Sequence, residues 1–250
     1  MDNEKIYITG EPLLVNEYAD ECSRHGHTVS VQYTADDTHH PFIKQKNITR
    51  VQALPKNTTI AVELTNCDHT QKKKNIQALD RSLPPGTTIL CSAVTIGATE
   101  SARWLKKPRV FIGLSAFPTL IRKKLVELSV PAHHTDQGVE EIKAFFTTLE
   151  KESTVVDDRI GMVMPRILAQ VINEAIIAST QQLASPKAID AAMKLGAEYP
   201  RGPIEWLADI TAPQVVALLD ALHRDTGDER YAPAPLLRKM AAAGEFWKND

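Results

Sequence analysis

The amino-acid sequence predicts an α/β domain with a parallel, doubly wound sheet, followed by an all-α domain. In the first half, short apolar runs of strand length alternate with longer segments of helical pattern. This order is typical of parallel sheets with crossover helices. After about Val156 the strand-like runs stop, and apolar residues recur at helical spacing. We therefore predict two domains, residues 1–155 and residues 156–250.

The predicted strands of the first domain are short runs rich in apolar and β-branched residues. They span residues 6–9, 28–32, 59–64, 88–91 and 109–113. Helices are predicted over residues 12–25, which precede Gly26, and over residues 73–83, which precede the turn Pro84-Pro85-Gly86. In such sheets ligands bind at the carboxyl ends of the strands, near the point where the strand order reverses.

The second domain opens with an apolar stripe so wide that its helix must be buried on more than one side. The stripe consists of Ile160, Val163, Met164, Ile167, Leu168, Val171, Ile172, Ala175 and Ile176. Ser185 and Pro186 predict the start of the next helix, and Gly196 its end. Further helices are predicted over residues 204–210, 213–224 and 236–243.

The composition is that of an ordinary globular protein, with 43% hydrophobic and 24% charged residues among 250. The formal net charge of −2 shows no excess of either sign, so we expect neither a nucleic-acid partner nor a membrane surface. No apolar run is long enough to span a membrane. Cys22, Cys67 and Cys91 lie far apart, and no secretion signal is visible, so we expect a reducing cytoplasm.

Two sequence features suggest a metal or phosphate site but are interpreted more simply. The pairs His39-His40 and His133-His134 lack Cys or acidic partners at ligand spacing, so we predict solvent-exposed loop histidines and no metal site. The run Lys72-Lys73-Lys74 is interpreted as the solvated first turn of a helix, because no aromatic platform accompanies it.

Several distinctive sequence motifs in the second half resemble those of one family. They are DRIGMVMPR at 158–166, INEA at 172–175, DAAMKLG at 190–196, YPRGPIEW at 199–206 and GDERYAP at 227–233. They resemble the helical domain of 3-hydroxyacyl-CoA dehydrogenases over residues 155–244. The first half resembles the same family faintly, through PPGTTIL at 84–90, GLSAF at 113–117 and KLVE at 124–127. The resemblance implies a Rossmann-like NAD domain, oxidation of a 3-hydroxyacyl-CoA, and dimerisation through the helical domain.

The dinucleotide turn departs from the family pattern. A GxGxxG turn provides close backbone approach to the pyrophosphate, but here only its first glycine, Gly10, remains, and it is our candidate cofactor-binding residue. Glu11 adds a negative charge, and Pro12 removes a backbone donor. Tyr33 stands where an acidic residue should hold the ribose, although Asp36 and Asp37 follow. An alternative interpretation is that Gly10 merely ends a strand.

The catalytic positions depart from the family pattern as well. By the resemblance, Ser115 replaces the catalytic histidine, and Glu127 stands at the position of the glutamate that holds it. These two are our candidate catalytic residues, although Glu127 is also interpretable as a surface carboxylate at a strand end. The family's hydroxyl-contacting serine maps to Val94 or Thr95, and its asparagine to Pro165. Residues 34–58 are too short for the helical excursion that helps the family hold CoA.

We therefore predict a dehydrogenase-like protein with degraded cofactor and catalytic motifs, non-catalytic or weakly active, and with no cofactor. It would act as a binding or supporting subunit for an active paralogue or a small ligand. The alternative is an active NAD-dependent 3-hydroxyacyl-CoA dehydrogenase with a non-standard site. A two-fold homodimer is predicted through the helical domain, with the helix of residues 161–184 and the 213–224 helix at its centre. The second of these carries Val215, Val216, Leu218, Leu219 and Leu222.

Overall fold

A computed structural model of the protein describes residues 4–34, 40–132 and 138–243. The chain divides into two compact units, Met1–Met162 and Val163–Asp250. The division lies a little beyond the predicted one, because the segment after the last strand stays with the first unit. There the Gly161 amide donates to the Val94 carbonyl at 2.8 Å, and the Asp158 carboxylate accepts from the amides of Ala98 and Thr99.

The first unit consists of one sheet with helices on both faces. Its strands are β1 (Lys5–Gly10), β2 (Thr28–Tyr33), β3 (Ile48–Arg50), β4 (Ile60–Leu64), β5 (Thr88–Ser92), β6 (Phe111–Leu114), β7 (Leu125–Ser129) and β8 (Glu152–Val155). Its helices are α1 (Pro12–Arg24), α2 (His69–Ser82), α3 (Ala98–Ala102) and α4 (Val139–Thr148). Within the described residues the strand order is β3-β2-β1-β4-β5-β6-β7-β8.

The sheet is parallel except at one pair, which confirms the predicted α/β class with one correction. β6 and β7 pair antiparallel, with Leu114 opposite Leu128. The connection between them holds only a 3₁₀ turn, Leu120–Arg122. Parallel neighbours need a long crossover, so this short connection can return only antiparallel. All five predicted strands are present, whereas β3, β7 and β8 were missed because they are short and partly polar.

Apolar side chains alternate between the two faces of the central strands, as a sheet covered on both sides requires. Ile6 and Ile8 pack with Leu14 of α1 on one face. Tyr7 and Ala61 pack with Ile76 of α2 on the other. The order of the strands reverses between β1 and β4, because the chain leaves β1 towards β2 and β3 and then crosses to β4. The crevice at the carboxyl ends of β1 and β4 is therefore the switch point where such sheets bind ligands.

The second unit is helical throughout its described residues, as predicted. Its helices are α5 (Met164–Thr180), α6 (Pro186–Gly196), α7 (Pro203–Ile210), α8 (Ala212–Thr226) and α9 (Pro235–Ala243). The buried Asp190 carboxylate accepts from the amides of Ile204 and Glu205 and so holds the start of α7. A Cβ at Gly202 would lie 2.1 Å from the Asp190 side chain, which explains the glycine in this stretch.

The apolar patch predicted on α8 is largely buried within the chain, although Val216 is half-buried, and the dimer itself stays a prediction. Val215, Leu218, Leu219 and Leu222 are fully buried within the chain itself, so they cannot form a surface for a second copy. On α5, Leu168 and Ile172 are buried, whereas Met164 and Ile167 are 44% and 53% exposed. The outer side of α5 therefore carries exposed apolar side chains, and Leu183 and Leu195 of the same unit are 79% and 85% exposed. No helix among the described residues is long and apolar enough to cross a membrane.

Candidate functional site

The turn after β1 brings two strand ends into close contact at Gly10. Its φ of 148° lies outside the range that side-chain-bearing residues favour, and a Cβ there would lie 2.3 Å from the Leu64 carbonyl oxygen. The next amide, that of Glu11, donates to the same oxygen at 3.0 Å. Glycine is thus required at this position for the close approach of β1 to β4, independently of any cofactor binding.

Replacing Gly10 with alanine should destabilise the first unit by roughly 1–3 kcal/mol, because the new methyl group meets backbone and the φ is strained. The measurement is the urea midpoint of unfolding. Gly196→Ala is the control, since nothing lies within 4 Å of a Cβ there and alanine suits a helix. A Gly10→Ala protein that unfolds at the wild-type urea concentration would contradict this role.

Glu11 places a carboxylate in the switch-point crevice. One carboxylate oxygen accepts from the amides of Asn66 at 3.0 Å and Cys67 at 2.7 Å, at the start of the loop after β4. Two backbone donors of this kind form a ready anion site. Here the protein's own side chain takes both donors. Pro12, at the first position of α1, supplies no amide to replace them.

Tyr33, at the end of β2, makes contacts of its own in place of those of a ribose-binding carboxylate. Its hydroxyl donates to Asn16 Oδ1 at 2.5 Å, and the Arg50 guanidinium lies 5.2 Å from its ring centroid. The neighbouring candidates Asp36 and Asp37 lie outside the described residues. So do His39, His133 and His134, whereas His40 is described and partly buried. No group of three or more metal-ligating side chains occurs in the described ranges.

The loops after β4, β5 and β6 are joined by hydrogen bonds around Asn66, a residue that the sequence did not single out. Its Nδ2 donates to the Ala116 carbonyl at 2.9 Å, and its Oδ1 accepts from the Ser92 hydroxyl at 2.6 Å. The Thr95 hydroxyl donates to the Asn66 carbonyl at 2.7 Å. Ser92 and Thr95 are buried. Thr95 is at one of the two positions matched to the family's serine. Its hydroxyl therefore stabilises the contact between the loops.

Ser115, directly after β6, lies opposite Glu127 of β7, and its hydrogen bonds there are made to the Glu127 backbone. The Ser115 amide donates to the Glu127 carbonyl at 3.1 Å, and the Ser115 hydroxyl accepts from the Glu127 amide at 3.3 Å. No imidazole is hydrogen-bonded to Ser115 within the described part of the chain. Glu127 is only 3% exposed, so its interpretation as a surface carboxylate is wrong.

A buried ion pair lies behind the crevice, where the sequence predicted solvated lysines. Lys72 and Glu63 are both 0% exposed, and Lys72 Nζ donates to Glu63 Oε2 at 2.6 Å. Nζ also donates to the Thr65 carbonyl, and Asn75 Nδ2 donates to Glu63 Oε1. Burial alone would lower the pKa of Lys72, but the Cys91 sulfur and the Glu63 carboxylate outweigh burial and raise it. The sequence signal that could have predicted this pair is Glu63, because a charged residue inside the apolar strand IAVEL requires a charged partner.

Comparisons with known proteins agree on one family. Residues 161–249 match the model of the 3-hydroxyacyl-CoA dehydrogenase C-terminal domain. A probable 3-hydroxybutyryl-CoA dehydrogenase of Bacillus subtilis is 31% identical over 191 residues, which cover 76% of this chain and 67% of that protein. The chain belongs to the 3-hydroxyacyl-CoA dehydrogenase family. The 3-hydroxybutyryl-CoA dehydrogenase of Bradyrhizobium diazoefficiens is 34% identical over 173 residues, covering 69% of this chain but only 59% of that protein.

Solved structures extend the family likeness to the whole chain. (S)-3-hydroxybutyryl-CoA dehydrogenase PaaH1 from Ralstonia eutropha superposes with a TM-score of 0.77 at 25% identity, covering 98% of this chain and 95% of that one. FadB2 of M. tuberculosis has a TM-score of 0.83 at 21% identity, covering 99% and 96%, which shows a shared fold. The family scaffold, a Rossmann domain followed by a helical domain, is therefore present here.

Proposed function

We propose that this member of the 3-hydroxyacyl-CoA dehydrogenase family is non-catalytic or weakly active and serves as a dimeric binding or supporting subunit. The observation that carries the proposal is the Glu11 carboxylate, held by the Asn66 and Cys67 amides in the switch-point crevice. A dinucleotide pyrophosphate needs backbone donors at that crevice. Glu11 removes two of them and adds a repelling charge, so the residues present do not fit NAD.

The proton chemistry is weak as well. Oxidation of a secondary alcohol needs a base to take the hydroxyl proton, and loss of such a base typically lowers the rate by about 10²–10⁴-fold. Ser115 is a neutral hydroxyl that already accepts a hydrogen bond from the Glu127 amide. Ser115 supplies no imidazole to carry the proton from the substrate to the buried Glu127 carboxylate.

The alternative, an active NAD-dependent enzyme, rests on two observations. The similar proteins named above are called dehydrogenases, and Glu127 is a buried carboxylate at the position matched to the family's glutamate. In that event Glu127 itself would be the proton acceptor. The two functions differ in a simple experiment.

NADH should not bind with micromolar affinity, and acetoacetyl-CoA should not be reduced at a measurable rate. The physical reason is the occupied donor pair at Glu11 and the missing base at Ser115. Calorimetry with NAD⁺ and NADH, together with an absorbance assay on acetoacetyl-CoA, tests both halves, with an active family member as the positive control. A clear NADH fluorescence shift, or turnover by the wild type, would support the active enzyme instead.

The proposed assembly is a homodimer through the helical unit. The exposed apolar side chains of this unit include Met164 and Ile167 on the outer side of α5, together with Leu183 and Leu195. Apolar residues exposed together in this way favour an interface, and in a two-fold dimer each patch would meet its own copy.

Light scattering at micromolar concentration should give about twice 27.7 kDa, and Ile167→Glu should give a folded monomer, because a charge would enter the interface. Leu219→Glu is the contrasting variant: since Leu219 is 0% exposed, it should unfold the helical unit instead. A monomeric wild type, or an Ile167→Glu protein that remains dimeric, would refute this assembly.

A further inference from the structure

The connection from β3 to β4 is unusually short for a crossover between parallel strands. Residues 51–59 contain no helix, although such crossovers usually carry one. Val51 and Leu54 pack against the face of the sheet that α2 covers. Between this connection, the strands and α2 lies a cavity of about 620 Å³, which is within the usual size range of small-molecule sites, about 300–1,000 Å³. The cavity lies on the α2 face of the sheet and extends to Thr9, Tyr33 and Thr34 at the carboxyl ends of β1 and β2.

The strand side of the cavity offers a free amide donor. The Tyr7 hydroxyl donates to Gln32 Oε1, and both residues line the cavity. Burial raises the pKa of Tyr7, which keeps this hydroxyl protonated. Since Oε1 is used, Gln32 presents its Nε2 group, which makes no hydrogen bond to the residues that the structure describes.

The helix side presents two cations. Lys74 and Arg81 of α2 are exposed and line the cavity, with Ala78 between them on the same side of the helix. Their spacing places them two helical turns, or about 10 Å, apart. Neither side chain makes an ion pair with a described residue, and none of the described lining residues is acidic. The described lining therefore carries two positive charges and no negative one, with the small side chain of Ala78 between the two cations.

We propose that this cavity binds an elongated organic dianion, with carboxylate or phosphate groups at its two ends and an apolar middle. One anionic group would contact Lys74 and the other Arg81. The apolar middle would lie along Ala78 and Leu54, and the Gln32 amide would donate to one end. Two separated charges match the cations better than a single one, and Ala78 leaves room for the chain between them. The proposal goes beyond the loss of dehydrogenase activity and does not depend on it.

The test is calorimetric titration of the full chain with nonanedioate, with nonanoate as the single-charge control. Nonanedioate should bind saturably and at least tenfold more tightly than nonanoate. Lys74→Gln and Arg81→Gln should each weaken binding by about tenfold, which corresponds to about 1.4 kcal/mol. Lys73→Gln should leave it unchanged, because Lys73 points instead to the Trp104 ring, 5.9 Å away. Ala78→Phe should abolish binding without any change of charge.

Absence of saturable nonanedioate binding would overturn the proposal, as would equal affinity for nonanoate. Insensitivity to both Lys74→Gln and Arg81→Gln would place the ligand elsewhere and also overturn it. Because NADH is titrated separately against the same sample, failure here is distinguishable from failure of the proposed loss of activity.

Discussion

Replacing Lys72 with methionine should lower the free energy of unfolding by about 3–5 kcal/mol, because it leaves the Glu63 carboxylate buried and unpaired. Both side chains are 0% exposed, so water cannot replace the lost ammonium group. Asn75 would remain the donor to Glu63 Oε1, which is too little to hold a full charge in the interior. The measurement is urea unfolding followed by far-ultraviolet circular dichroism.

The double variant Lys72→Met with Glu63→Gln should recover most of this loss, since the amide keeps an acceptor for Asn75 without the charge. A double-mutant cycle then isolates the coupling between the pair. Lys74→Met, an exposed lysine on the same helix, should change stability by less than about 0.5 kcal/mol. A Lys72→Met variant as stable as the wild type would contradict the buried Lys72–Glu63 ion pair.

Asp80→Ala should be similarly costly, at about 3–5 kcal/mol, because it leaves the Arg109 guanidinium buried without its carboxylate. The two side chains are 3% and 2% exposed, with Arg109 Nε 3.0 Å from Asp80 Oδ1. Arg109 also donates to the carbonyls of Asp80, Leu83 and Pro84, so it satisfies the carbonyls at the end of α2. Loss of the carboxylate therefore affects the junction of α2 with the turn that follows.

The same pair predicts how stability depends on pH. Burial alone would raise the pKa of Asp80, but the Lys106 amide and Arg109 outweigh it and hold the pKa below its ordinary value of 3.8. When folding lowers the pKa of a carboxyl group, that group stabilises the folded state fully at pH values above its pKa in the unfolded chain. This contribution is lost as the pH falls through the pKa that the group has in the folded protein. Wild-type stability should thus decline below about pH 4. Asp80→Asn should flatten that decline, and an unchanged acid profile would contradict it.

Much of the fold followed from local pattern. β1, β2, β4, β5 and β6 are apolar runs between turn residues, and the helices after residue 163 have apolar periodicity with proline or serine at their starts. β3 and β8 were not predicted, because each strand is short and most of its residues are exposed or half-buried. Their strand conformation comes from pairing with β2 and β7, which no local propensity encodes.

For the candidate site too, the sequence predicted some features and not others. The sequence identified Gly10 and Glu127 as positions that keep the family residue and Ser115 as one that departs from it, but not the contacts that these residues make. Whether NAD is excluded remains a prediction. Glu11 was singled out as a repelling charge, whereas its hydrogen bonds to the amides of Asn66 and Cys67 join residues far apart in the chain.

The sequence by itself determined the two-domain order, the strand and helix types, and the family, because these depend on periodicity and on local words. Only the tertiary structure decided the environments of the charged side chains. Lys72 is buried while its neighbours Lys73 and Lys74 are exposed, and Glu127 is buried although it was also interpretable as a surface carboxylate. The physical reason is that burial and pairing of a charge depend on which strands and helices meet around it, and those contacts are set by the sheet order, not by neighbours in the chain.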